Sequence, residues 1–207
     1  MFVDALMSVV TALPTGECVD SSGTAPNPVT LRLLRLGDAR RVRQWFADPA
    51  FVRMVVYVPD PAESAPTAYT KVEADNYLLR LMYDGDRHAF AIEYGGTHVG
   101  IVGLKEVDPV AHTAECFIEI GDPAMRRRGV GRNAMQQLLT YAFDDLSLER
   151  IRLAVFEFNE PARKLYAALG FVDDGIYGSH WVDGVAHPML AMVLDVGAWR
   201  AAAPRGG

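Results

Sequence analysis

A mixed α/β domain is what the sequence predicts, and three observations carry the prediction. Runs rich in β-branched and aromatic residues at 89–94, 99–107, 113–120 and 151–158 read as strands. Stretches with helical spacing stand among them, at 72–83 through Tyr77, Leu78 and Leu81, and at 132–145 through Met135, Leu138, Leu139 and Ala142. The extended run at 113–121 empties through glycines into the second of these helices, and a strand follows, so the segment is a strand–helix–strand crossover.

The elements follow in order. Residues 1–13 are apolar with Asp4 as their only charged side chain. They lack the positive n-region of a signal peptide and read as a short amphipathic element that packs on the domain or on a second subunit. Residues 16–27 are polar and rich in turn formers, a linker. The first strand is expected at 30–36. Asp38 is expected to cap a helix ending near Phe46, and a second short helical piece follows Asp48. Pro59, Pro61 and Pro66 break 56–68 into a loop. Gly95-Gly96 turns the first hairpin. A helix over 160–169 has Asn159 as N-cap, Pro161 in its first turn and Gly170 just past its end. The last strands, 177–182 and 188–194, turn at Asp183-Gly184, and residues after Arg200 are expected to fray. There is no internal repeat and no second-domain boundary. The division is therefore an extension and linker over 1–28, one domain over 29–196, and a tail over 197–207.

Composition narrows the function. The 207 residues are 50% hydrophobic, enough for a sizeable core, and carry a formal net charge of −6. Such a chain is not built to coat nucleic acid nonspecifically, although 126–132 form a local basic patch. Cys18 and Cys116 make no disulfide framework, and Cys116 reads as a small buried hydrophobe in a strand. No Cys/His cluster suggests a metal. No stretch is long enough to span a membrane, and the cysteine usage fits a reducing cytoplasm.

Arg126-Arg127-Arg128-Gly129-Val130-Gly131 is the most informative string. A strand that runs through glycines into a helix makes a phosphate socket. The glycines let the backbone turn and approach a ligand, the first-turn N–H groups point at the anion, and the helix dipole favours negative charge there. The neighbouring arginines can each hold phosphate with two hydrogen bonds. A Rossmann site would want glycine at position 134, which is Ala, and no G-x-x-x-x-G-K-[ST] string exists. What is left is R-x-x-G-x-G: Arg126, Gly129 and Gly131.

Downstream, the strand at 151–158 is followed by Asn159, Ala162, Tyr166, Gly170 and Phe171 in an N-x-x-A-x-x-x-Y-x-x-x-G-F pattern. The two motifs, in this order and spacing, resemble the GNAT superfamily of N-acetyltransferases. The early R-L-L-R-L-G-D-A run and the tail at 190–195 look like its branch that modifies ribosomal-protein N-termini, antibiotics and polyamines. The resemblance implies a GNAT fold: a mixed, mostly antiparallel twisted sheet flanked by helices. It implies transfer of an acyl group from acetyl-CoA or another acyl-CoA to a primary amine, by direct attack and without metal. Two alternatives keep the fold: an aminoacyl-tRNA or carrier-protein donor, or an acyl-CoA sensor without turnover. The acceptor would be a small-molecule or peptide amine, tRNA would be a partner only if it is the donor, and a homodimer would fit the family.

The resemblance also assigns roles. The backbone from Arg127 through Arg128, Gly129, Val130 and Gly131 to Arg132 would hold the diphosphate, with Arg126 and Arg128 helping. Phe117, Ile118, Glu119 and Ile120 would hold the pantetheine arm like an added strand, and an N–H near Ile118 would stabilise the oxyanion. Tyr166 would protonate the departing sulfur. Asn159, besides capping, would touch the pantetheine. Glu115 is the leading catalytic base; Glu119, with the same strand parity, is the reserve. His180 and His187, with Tyr177 and Trp181, fall in the last hairpin, where family acceptors enter. A base role for His180 stands against plain surface polarity. His88, His98 and His112 fall at strand edges or turns and carry no assignment.

Overall fold

The computed structural model describes residues 28–60, 62–63, 66–182 and 185–202. The apolar N-terminal segment, its linker, Cys18 and the Asp183-Gly184 turn lie outside them. Among the described residues seven strands form one sheet: β1 (Val29–Leu33), β2 (His88–Tyr94), β3 (Thr97–Asp108), β4 (Thr113–Ile120), β5 (Arg150–Phe156), β6 (Val172–Val182) and β7 (Val185–Asp195). Their order is β1-β2-β3-β4-β5-β7-β6, and every neighbouring pair is antiparallel except β4 with β5. The helices are α1 (Ala39–Phe46), α2 (Pro49–Val55), α3 (Lys71–Tyr83), α4 (Val130–Thr140), α5 (Glu160–Ala168) and α6 (Val196–Ala202). The α/β prediction and its single parallel crossover hold.

Both faces of the sheet are covered, which is why the middle of β3 is buried continuously instead of alternately. On one face Met135, Leu138 and Leu139 of α4 pack against Phe90, Ile92, Val102 and Leu104. On the other, Val42, Trp45 and Phe46 of α1, Phe51 of α2 and Leu78 of α3 pack against Ala89, Ala91 and Ile101. Each such large side chain contributes roughly 1.5–3 kcal/mol by leaving water, so the two layers fix the sheet rigidly between them.

Several boundaries differ from expectation for physical reasons. β1 ends at Leu33, not 36, because Leu36–Asp38 form a turn of 3₁₀ helix. Asp38 does not cap α1. Its carboxylate accepts 2.8 Å bonds from both terminal nitrogens of Arg32 and from the Arg35 N–H. Burial pushes its pKa up, but these bonds outweigh that and hold it below the usual carboxylate range. Asp48 does cap α2, through the Ala50 N–H at 2.9 Å. α4 begins at Val130, two residues early, and its last turn widens into a π-helical turn over Tyr141–Asp145. β6 and β7 are longer than read, with register breaks in β6 around Ile176. The chain continues into α6 as far as Ala202, with the Trp199 ring 6.0 Å from that of Phe143; residues 203–207, the rest of the stretch expected to fray, lie outside the described residues. This helix spans the point where the sequence divides domain from tail.

Candidate active site

β4 and β5 pair at three positions only, Thr113↔Arg150, Ala114↔Ile151 and Glu115↔Arg152. Past Glu115 the β5 side of β4 has no ladder. His112 C=O accepts from Glu149 and Arg150 on the β5 side, and Gly121 N–H bonds Val99 on the β3 side. The strand between them has no irregularity of its own, so period-2 alternation turns the N–H and C=O of Ile118 and Ile120 toward the gap. Arg126 already uses one of these groups, donating through Nε and an Nη nitrogen to Ile120 C=O at 3.3 and 3.2 Å.

The loop beyond β4 is a concave run of amides. Asp122 accepts from Ala124 N–H and starts a 3₁₀ turn over Pro123–Met125. Arg127 (φ 60°) and Gly129 (φ 78°) both take the left-handed conformation, which costs a side-chain-bearing residue about 1–2 kcal/mol and glycine little. Arg126 N–H donates to Pro123 and Asn133 N–H to Gly129. The six N–H groups between them, 127–132, have no protein partner among the described residues. Consecutive free amides on a left-handed turn at a helix start form an anion cradle. Its seat is fixed from behind, since Gly121 touches the Trp45 indole so closely that a Cβ there would overlap the ring.

A cleft of about 420 Å³ runs from this cradle. Ile118, Glu119 and Ile120 form one side, Gly129, Gly131, Arg126, Arg127 and Arg132 the loop end, Asn159, Leu165 and Tyr166 of the α5 region another side, and Phe51, Met54 and Val55 of α2 the opposite wall. Its walls are mostly apolar, which suits a thin, flexible arm. Val130 is buried in the core and offers only its N–H. Arg128 is exposed and does not line the cleft.

A second, more polar pocket of about 180 Å³ joins the cleft. Met54, Val55, Ile118, Glu119, Asn159 and Tyr166 line both. Phe117, expected beside the arm, lines only the second pocket, with Tyr57, Lys105, Glu115 and Tyr177. Tyr166 lines both cavities; it is buried, and its hydroxyl has no hydrogen-bond partner among the described residues. Burial pushes its pKa well above the tyrosine range, helped by the nearby Cys116, so it keeps its proton at any physiological pH. Asn159 caps α5 through Ala162 N–H at 3.3 Å and still lines both cavities.

The two glutamates differ. Glu115 is buried with both oxygens engaged, by Lys105 Nζ at 2.8 Å and by the Tyr177 hydroxyl at 3.4 Å. Glu119 accepts the Tyr77 hydroxyl on Oε1 at 2.6 Å, while its buried Oε2 has no partner among the described residues. Burial pushes its pKa up to about 7, against a smaller lowering by Tyr77. Sequence reasoning had no signal for Tyr77 or Lys105 here.

The histidines correct the sequence reading. His180 is not surface polarity but fully buried, its ring 4.5 Å from that of Phe156 and tilted to it, and its Nδ1 accepts Val58 N–H at 3.0 Å. Trp181 N–H donates back to Val58 C=O at 3.0 Å. This two-bond clamp ties the loop after α2, with Tyr57, against β6. His98 is buried at 3.2 Å from Asp38 and edge-on to Trp45, and His88 bonds the Tyr141 hydroxyl at 2.7 Å. His187 stacks edge-on with Phe158, away from the junction.

Residues 29–172 match the family model described as "Acetyltransferase (GNAT) domain". The spermidine N(1)-acetyltransferase of Escherichia coli (strain K12) is 29% identical over 147 residues, covering 71% of this chain and 74% of that protein. "Putative ribosomal N-acetyltransferase YdaF" of Bacillus subtilis is 25% identical over 174 residues, 83% of this chain and 93% of that protein. The crystal structure of spermidine N-acetyltransferase from Vibrio cholerae in complex with CoA and spermine superposes with a TM-score of 0.70 at 23% identity. It covers 84% of this chain and 98% of that one, a likeness of fold.

Proposed function

The chain belongs to the GNAT acetyltransferase family, and on that premise we propose how its cleft divides the work of acyl transfer and which amine it serves. The protein is an acyl-CoA-dependent N-acyltransferase with acetyl-CoA as co-substrate; a tRNA or carrier-protein donor and a non-catalytic sensor are not favoured. The free amides of 127–132 take the diphosphate, with Arg126, Arg127 and Arg132 adding charge. The apolar cleft takes the pantetheine arm along the unpaired edge of β4. The Ile118 N–H, turned into the gap, receives the carbonyl oxygen and the charge it gains on attack. The Tyr166 hydroxyl gives its proton to the leaving sulfur. The six unpartnered amides opening into an apolar cleft that reaches Tyr166 are the observation that carries this reading.

The acceptor enters through the second pocket. Its lining joins Tyr57 and Tyr177 to Glu115 and Glu119, a combination that suits a small cationic amine. With a spermidine acetyltransferase among the relatives, we read the acceptor as a primary amine of the polyamine class. The buried, free thiol of Cys116 fits the cytoplasm as its location.

Release of free thiol from acetyl-CoA tests the reading, measured with spermidine, spermine, an aminoglycoside and an alanine-terminated peptide. Polyamines are expected to give the highest kcat/KM. Saturable CoA binding with no thiol release on any amine would overturn the enzymatic reading, and a peptide as best substrate would overturn the acceptor class.

A further inference from the structure

We propose that Glu119, held in place by Tyr77, is the catalytic base that takes the proton from the acceptor's ammonium group. The inference rests on the acyl-transfer reading of the cleft. It deepens that reading by naming a residue that family motifs do not.

The geometry singles out Glu119. Acceptor and thioester can meet only where the two cavities join, and among the ionisable side chains only Glu119 and Tyr166 line both. Tyr166 keeps its proton and serves the sulfur, which leaves Glu119 as the carboxylate placed where the proton must go. Its carboxylate has a definite orientation: Oε1 is fixed by the Tyr77 hydroxyl at 2.6 Å, and Oε2 is buried with no partner among the described residues. An unmatched buried carboxylate oxygen costs about 1–3 kcal/mol, and an ammonium hydrogen would satisfy it. Glu115 lacks this freedom, because Lys105 and Tyr177 hold its two oxygens.

The surrounding charges agree. Tyr77 and Tyr69 face Glu119 from α3 and its flanking loop. Burial, with the Glu119 charge adding to it, raises both and keeps them protonated. Cys116 on its own strand is likewise pushed up by burial. Lys105 spends its charge on Glu115. Glu119 therefore titrates near neutrality, where a base is best matched to its task.

The protons balance. Ionised Glu119 removes one proton from the ammonium. The neutral nitrogen bonds to the thioester carbonyl carbon and leaves a protonated nitrogen and an oxyanion. The C–S bond then breaks, the sulfur takes the Tyr166 proton, and Tyr166 regains one from the new amide nitrogen. Amide and free thiol leave, and Glu119 releases its proton to water.

The test compares pH profiles of kcat/KM for acetylation of spermidine by the wild type and by Glu119→Gln, Glu115→Gln and Tyr77→Phe, with CoA affinity measured on each. Wild-type kcat/KM should rise with pH through an inflection near 7. Glu119→Gln should lose that inflection and about 10²-fold or more in kcat while CoA affinity changes little. Glu115→Gln should keep the inflection. Tyr77→Phe should move it to higher pH, because the lost hydrogen bond favoured the ionised form; a packing defect alone would not move it. An inflection that survives Glu119→Gln, or vanishes in Glu115→Gln, overturns the assignment and leaves the acyl-transfer reading intact. No wild-type turnover on any amine overturns both.

Discussion

Replacing Gly129 or Gly131 by Ala should move stability in opposite directions and CoA affinity in the same one. Gly129 has φ 78°, where an alanine costs about 1–2 kcal/mol; the unfolded chain's loss of freedom returns about 0.4–1 of that. The net is a destabilisation of about 1 kcal/mol, or roughly 2–4 °C in Tm for a chain of this size. Gly131 is the second residue of α4, and a Cβ there would sit 3.5 Å from Leu165 Cδ2 and 3.7 Å from Ile118 Cδ1, ordinary contact distances. Alanine is favoured over glycine by up to about 1 kcal/mol inside a helix and by less in its first turn. Gly131→Ala should therefore keep or slightly raise Tm. Yet the new methyl stands in the cleft beside the free amides, so CoA should bind about tenfold more weakly or worse, which is about 1.4 kcal/mol. Thermal unfolding and titration calorimetry on both variants read the two effects separately. A Gly131→Ala protein that binds CoA as tightly as the wild type would refute the placement of the diphosphate on this loop.

Tyr166→Phe should lower kcat about 10²–10³-fold with CoA affinity and Tm nearly unchanged, since its hydroxyl has no hydrogen bond among the described residues; unchanged thiol release would remove the acid role. Glu119→Gln should also alter the pH dependence of stability. The folded-state pKa is raised from 4.5 to about 7, so between those values the unfolded chain ionises while the folded one keeps its proton, and wild-type stability falls as pH rises. The full loss corresponds to about 3 kcal/mol, and about 1–2 after allowance for the half-buried side chain. Denaturant melts at pH 5 and pH 8 should show this decline in the wild type and not in the variant; equal declines would show that Glu119 is not raised. Gly121→Ala should cost about 1–3 kcal/mol or more by driving a methyl into the Trp45 ring. A Tm change under 1 °C would show that the indole yields freely.

Local chemistry made part of this architecture readable. Gly95 and Gly96, with φ 55° and 76°, are the two left-handed centres a tight hairpin needs, so β2 and β3 were evident. Asn159 and Pro161 marked the start of α5 for the same kind of reason. Long-range partners defeated the reading elsewhere. Asp38 looks like a cap until Arg32, six residues earlier, claims both its oxygens. The first half of β6 carries Asp173, Asp174 and Gly175, which read as loop, because an edge strand with exposed side chains needs no apolar alternation. His180 is polar by type, and only the Val58 N–H, 122 residues away in sequence, explains its burial. The Thr70-x-x-Glu73 capping box at the start of α3 was present in the sequence and could have been used. The candidate site divided the same way. The amide cradle follows from the spacing of Gly129 and Gly131. The choice between Glu115 and Glu119 depends on Lys105, which stands opposite Glu115 on β3, and on Tyr77, 42 residues from Glu119.

A crystal structure of the protein with CoA tests the central claim most directly. The account predicts diphosphate oxygens within about 3 Å of several N–H groups from 127–132 and the sulfur beside the Tyr166 hydroxyl, with Glu119 Oε2 facing the second pocket. A diphosphate seated away from those amides, or a sulfur remote from Tyr166, would contradict it.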